Sequence, residues 1–104
     1  MNEFVDITGA SGTSYRFRLA ADAAALPDAA GNFVFVRQED GRAHIVGSGS
    51  AGNLAVAAKL WARAVAEQQA DSLYFYLSIA RRMRTEVHED IAEKHHPALI
   101  AVES

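Results

Sequence analysis

The strictest alternation in the chain lies at residues 14–19, Ser-Tyr-Arg-Phe-Arg-Leu, where Tyr15, Phe17 and Leu19 face one way and Arg16 and Arg18 the other. A period of two predicts a half-buried strand. Residues 3–8, Glu-Phe-Val-Asp-Ile-Thr, form a second run. The intervening Gly9-Ala10-Ser11-Gly12-Thr13 has the composition of a turn, so the pair reads as a hairpin. Residues 20–31 are Ala-rich and read as a short helical turn or loop ended by Pro27. Residues 32–38 are apolar on both faces, which predicts a central strand covered on both sides. Asp40-Gly41 is a hairpin turn leading into a partner strand at 43–46.

The period then changes to that of a helix. From about Asn53 to Gln69, Leu54, Ala58, Trp61 and Val65 recur on one face, with Asn53 or Ser50 as the cap. Residues 72–79 return to alternation: Leu73, Phe75, Leu77 and Ile79 share one face, Tyr74 and Tyr76 the other. A second helix runs from about Ala80 to His95 with Met83, Val87 and Ile91 as its apolar stripe, and Pro97 ends it. Residues 98–102 can add a short edge strand. The resulting order, ββ, ββ, α, β, α, predicts an α+β domain with a small sheet and helices packed on it.

Composition narrows the class. One hundred and four residues suit a single domain, and 50% apolar with 22% charged residues suits a soluble globular chain. The absence of cysteine excludes disulfides, thiolate nucleophiles and Cys-ligated zinc. A net charge of -3 argues against broad nucleic-acid binding, which usually draws on a basic surface. The acidic start has no apolar run after it, and no stretch approaches the ~18 apolar residues of a membrane span. The expectation is a cytoplasmic protein without a membrane partner.

Two constellations invite chemistry. Gly47-Ser48-Gly49-Ser50-Ala51-Gly52 is literally G-x-G-x-x-G between a strand and a helix, so Gly47, Gly49 and Gly52 are candidates for a nucleotide-phosphate loop. The preceding strand pairs antiparallel and the chain holds too little βαβ for a dinucleotide domain, so a glycine loop without a ligand is preferred. His44, His88, His95 and His96 are the histidines. His88 with Glu89 is a weak metal candidate, because adjacent helical positions diverge by ~100°. The Arg81-Arg82-Met83-Arg84 cluster reads first as a solvated helix face and second as a phosphate contact.

The run Gly31-Asn32-Phe33-Val34-Phe35-Val36-Arg37, a turn, Ile45-Val46-Gly47, a helix opened by Asn53-Leu54, a strand, and a helix ending in His96-Pro97 together resemble the GIY-YIG nuclease superfamily. Thr8 to Phe17 is similar to a hairpin that precedes the motif in some small bacterial members. The resemblance implies a small antiparallel three-stranded core sheet flanked by helices. Here that gives one domain over 1–104, with the hairpin at 1–20 and the core at 31–100.

The resemblance also implies a site. The family cleaves phosphodiesters with a tyrosine in each signature strand, an arginine on the first helix, a metal-holding glutamate on a later helix and often an asparagine near the end. These roles are water activation, phosphate neutralisation and metal-assisted departure of the leaving oxygen. The first tyrosine falls on Phe33, the second on Ile45, the arginine on Ala57, the glutamate on His88 and the asparagine on Ile100. None carries the family's group, and a pocket lined by Phe33, Ile45 and Ala57 presents neither base nor cation. The expectation is therefore a catalytically inactive GIY-YIG-like binding or scaffolding module without a cofactor. Its partner is a protein or a second copy of itself, ahead of nucleic acid met by Arg16, Arg18, Lys59, Arg63, Arg81, Arg82 and Arg84. Two alternatives remain. One is an active nuclease using Mg²⁺ or another divalent ion at a site rebuilt from His44, His88 and Glu89. The other is a nucleotide binder at the glycine run.

Overall fold

Two faces of one sheet organise the chain. The computed structural model describes residues 3–103, so Met1, Asn2 and Ser104, at the ends of the expected 1–104 domain, lie outside the described residues. The strands are β1 (Phe4–Thr8), β2 (Ser14–Ala20), β3 (Gly31–Glu39), β4 (Arg42–Ala51), β5 (Ser72–Leu77) and β6 (Leu99–Ala101). The helices are α1 (Ala58–Gln68) and α2 (Arg81–His95). The strands lie side by side as β1-β2-β5-β3-β4-β6, all neighbours antiparallel except the parallel pair β4–β6.

The α+β class holds, but the sheet has six strands where three were expected in the core. The expected core is present as β5-β3-β4. The N-terminal hairpin does not stand apart from it: β2 pairs with β5, Leu19 opposite Tyr74, which extends the sheet on that side. On the other side β6 adds in parallel to β4, Ser48 opposite Ile100.

Alternation along β3 sends Phe33 and Phe35 to the face covered by α1, where Leu73, Leu54, Ala57 and Ala64 join them. Val34 and Val36 go to the opposite face with Ile7, Phe17, Tyr74 and the Val87 and Ile91 of α2. This is the doubly covered central strand that its apolar run predicts. The Asp40-Gly41 turn has φ 52° and 76°, the left-handed pair that a two-residue hairpin needs. Between Phe35 and Val36 the β3–β4 register shifts, so that Phe35 faces Gly47 but Val36 faces Ile45. This bulge turns Ile45 to the α2 face.

Several boundaries differ from the sequence reading. A 3₁₀ turn, Leu54–Ala57, opens α1, with the Asn53 side chain accepting from the Ala55 amide at 2.9 Å as the expected cap. The buried face of this segment follows Leu54, Ala57 and Ala64, while Val65 is exposed. The tighter first turn advances the helix phase by fewer residues per turn, which rotates Val65 outward. Strand β5 ends at Leu77, and Ile79 is 95% exposed. On α2, Met83 is exposed and Arg84 is buried in its stead. The first turn of that helix overhangs the end of the sheet, where carbonyls and a carboxylate receive a guanidinium better than a thioether.

Candidate functional site

At the end of the sheet where β3 begins and β4 and β6 finish, a cleft of about 340 Å³ opens beside α1. Phe33 lies at its floor, Val56 and Leu60 form one wall, and Gly52, Val102 and Glu103 form the other. The glycines of β4 make room for this floor. A Cβ at Gly49 would collide with the Ala101 carbonyl and the Phe33 ring, and one at Gly47 with the Phe35 ring. The two rings stack at 5.3 Å, and Phe35 meets Trp61 at 5.7 Å. The G-x-G-x-x-G run is thus not a loop, as the sequence suggested. Gly47 and Gly49 belong to β4, with Gly52 just beyond its end, and the strand glycines serve side-chain packing across the β3–β4 pair. Sequence alone does not distinguish glycines that admit a phosphate from glycines that admit a ring.

Behind the cleft, polar groups tie α2 to the sheet. Arg84 donates from Nε to Glu103 Oε1 at 2.8 Å and from Nη2 to Oε2 at 3.0 Å, while Nη1 donates to the Ser78 and Ile79 carbonyls. The pair is largely buried, and Arg84 holds the Glu103 carboxyl below the ordinary glutamate range. Arg84 is therefore not the solvent-facing phosphate contact that the sequence proposed: its donors are consumed inside the protein. Asn32 donates to the Arg84 carbonyl at 2.8 Å and to the Gly49 carbonyl at 3.3 Å. This residue was missed in the sequence. The one hint was an amide at the head of the apolar run 33–36.

The five positions derived from the resemblance do not converge. Phe33 and Ala57 lie on the α1 face, both buried. Ile45 packs on the α2 face, so the expected pocket of Phe33, Ile45 and Ala57 does not form; the bulge separates its members. His88 is buried against β4, its Nδ1 3.0 Å from Ser48 Oγ, and burial pushes its pKa down, opposed by the charge of Glu89. Ile100 is half-exposed on β6. Glu89 points to solvent, and His44 is exposed near the β3–β4 turn. Among the described residues no three His, Asp and Glu side chains are grouped so as to hold a metal ion.

The remaining cations are dispersed. Arg16 pairs with Asp6 at 3.0 Å, Arg18 with Glu3 at 3.6 Å, Arg63 with Glu67 at 2.8 Å and Arg82 with Glu86 at 3.2 Å. Lys59 and Arg81 are exposed. On the far side of the sheet a second network holds the N-terminal hairpin to α2. Asp90 accepts from the Ser11 amide at 2.8 Å, from Ser11 Oγ at 2.7 Å and from Tyr15 Oη at 2.8 Å. These donors, the Ser11 hydroxyl first, depress the Asp90 pKa. Among the described residues no helix is long and apolar enough to cross a membrane.

No protein-family model matches the chain, and no curated protein matches it in sequence. Solved structures do. Crystal structures of the GIY-YIG N-terminal endonuclease domain of UvrC from Thermotoga maritima superpose with a TM-score of 0.54, covering 70% of this chain and 83% of theirs. They include two tyrosine-to-phenylalanine point mutants and an asparagine-to-alanine point mutant, each bound to its catalytic divalent cation. Identity over the match is 19% for the first and 18% for the other two. Likeness at that identity is likeness of fold, and by it the chain has the GIY-YIG endonuclease fold.

Proposed function

We propose that this chain is a non-catalytic GIY-YIG-fold domain that acts as a binding or scaffolding module. The observation that carries the proposal is the cleft beside α1. The ring at the first signature position, Phe33, is 2% exposed and has no hydroxyl, and the helix residue at the arginine position is Ala57. A cleft floored in this way lacks the tyrosine hydroxyl and the arginine guanidinium that the resemblance assigns to water activation and to neutralising a developing phosphorane charge. Removing one such group typically costs about 10²–10³-fold in rate.

The donor set also does not fit the divalent cation that the UvrC domains bind. A metal site gathers about three deprotonated ligands at one point, and no such trio of His, Asp or Glu exists among the described residues. A rebuilt nuclease site from His44, His88 and Glu89 draws no support from this arrangement. Of the partners, a protein or a second copy is favoured over nucleic acid, because Arg16, Arg18, Arg63 and Arg82 are each neutralised by a carboxylate. Releasing counterions from DNA takes cations that are free to contact phosphate.

The test is incubation of purified chain with supercoiled plasmid and Mg²⁺ or Mn²⁺, run beside a mobility-shift assay and sedimentation. The expected result is intact plasmid and no salt-sensitive shift, with self-association or a captured protein partner. Metal-dependent nicking by the purified chain contradicts the reading.

A further inference from the structure

The cleft beside α1 has a chemical preference of its own. Its body is apolar, made by Phe33, Val56, Leu60 and Val102, and among the described residues Glu103 is the only ionisable side chain that lines it. Pockets of a few hundred Å³ with apolar walls and one or two convergent polar groups are the usual form of small-ligand sites. Val56 and Val102 are more than half exposed, so the cleft is open to solvent between them.

The carboxylate is presented in a fixed orientation. Arg84 takes one hydrogen bond to each oxygen and anchors its other nitrogen on the Ser78 and Ile79 carbonyls, without itself lining the cleft. Each carboxylate oxygen keeps a further lone pair. Oε2 stands 3.5 Å from where a Cβ at Gly52 would be, so the glycine adds no side chain against that oxygen. Arg84 also holds the carboxyl below the ordinary glutamate range. An acceptor held in place above an apolar floor selects a donor on an apolar body and repels an anion.

We infer that this cleft is a binding site for a small apolar amine, its hydrocarbon body on Phe33, Val56 and Leu60 and its ammonium at the Glu103 carboxylate. The inference rests on the reading that the cleft performs no phosphodiester chemistry.

A matched pair of probes tests it. Isotope-labelled chain is titrated with phenethylamine and, separately, with phenylacetate, which has a similar ring and tether but the opposite charge. Phenethylamine is expected to give saturable amide shifts at Gly52, Val56, Leu60, Val102 and Glu103. Phenylacetate should bind at least about tenfold more weakly, roughly the effect of one charge-assisted contact. Val56→Trp, at a half-exposed position, is expected to plug the cleft and abolish the shifts while the rest of the spectrum persists. Absence of saturation by phenethylamine, equal or tighter binding of phenylacetate, or shifts that survive Val56→Trp would overturn the inference. Those results would leave the non-catalytic reading intact, because plasmid cleavage decides that separately.

Discussion

His88 occupies the place where the resemblance puts a metal-holding glutamate. It is buried between α2 and β4 with Ser48 as its partner, and burial lowers its pKa. The native state therefore resists a proton that the unfolded chain accepts at its ordinary pKa of roughly 6.5. Its contribution to stability is complete above that pH and declines as pH falls through it toward the lower native value. Thermal melts from pH 8 to pH 5 should show this decline, and His88→Gln should flatten it; parallel pH profiles for the two proteins would count against the assignment. Gly49 is the other residue whose role is packing rather than chemistry. Gly49→Ala drives a methyl into the Ala101 carbonyl and the Phe33 ring, with an expected cost of about 1–3 kcal/mol in denaturant unfolding. A neutral result would mean that β6 and Phe33 yield easily at this point.

At the scale of elements, the N-terminal hairpin is joined to the domain through the β2–β5 ladder, through the packing of Ile7 and Phe17 on Val87 and Ile91, through His95 at the Thr8 carbonyl and through Asp90. The Ser11 and Tyr15 donors keep the Asp90 carboxyl ionised below its usual range, so this contact stabilises above the ordinary carboxylate pKa and is lost as pH falls through the depressed native value. Asp90→Ala should speed hydrogen exchange at Ser11 and Thr13 while leaving α1 amides unchanged. Uniform exchange in wild type and variant would show that Asp90 does not hold the hairpin. The hairpin itself was legible in the sequence, because Tyr15, Phe17 and Leu19 alternate with two arginines. Its docking was not. Asp90 reads as one more acid on a charged helix until the fold brings Ser11 beside it across 79 positions. Likewise Met83 and Arg84 exchange roles because helical period alone does not say where a helix overhangs its sheet.

For the whole molecule, the order of strands and helices was legible because each run kept one period, and the same order carried the resemblance that the UvrC superposition supports at the level of fold. The width of the sheet was not legible, since edge pairing by β2 and β6 depends on contacts distant in sequence. The candidate site was illegible in the sequence as a shape. Phe33 and Ala57 are buried together on the α1 face. The one-residue bulge before Val36 separated Ile45 from them, and nothing in Ile45-Val46-Gly47 announces an extra residue. Arg84 and Glu103 were unreadable as a pair because each, taken alone, is an ordinary surface charge.

The account depends on the cleft having no place for a divalent cation. Trace cleavage can come from a contaminant, whereas a stoichiometric metal site belongs to the chain, so Mn²⁺ titration of the purified protein followed by electron paramagnetic resonance is the most direct measurement. The account predicts that the Mn²⁺ signal remains that of free ion, with no saturable site at one equivalent. A one-to-one site that is lost in Glu103→Gln or His88→Gln would contradict it.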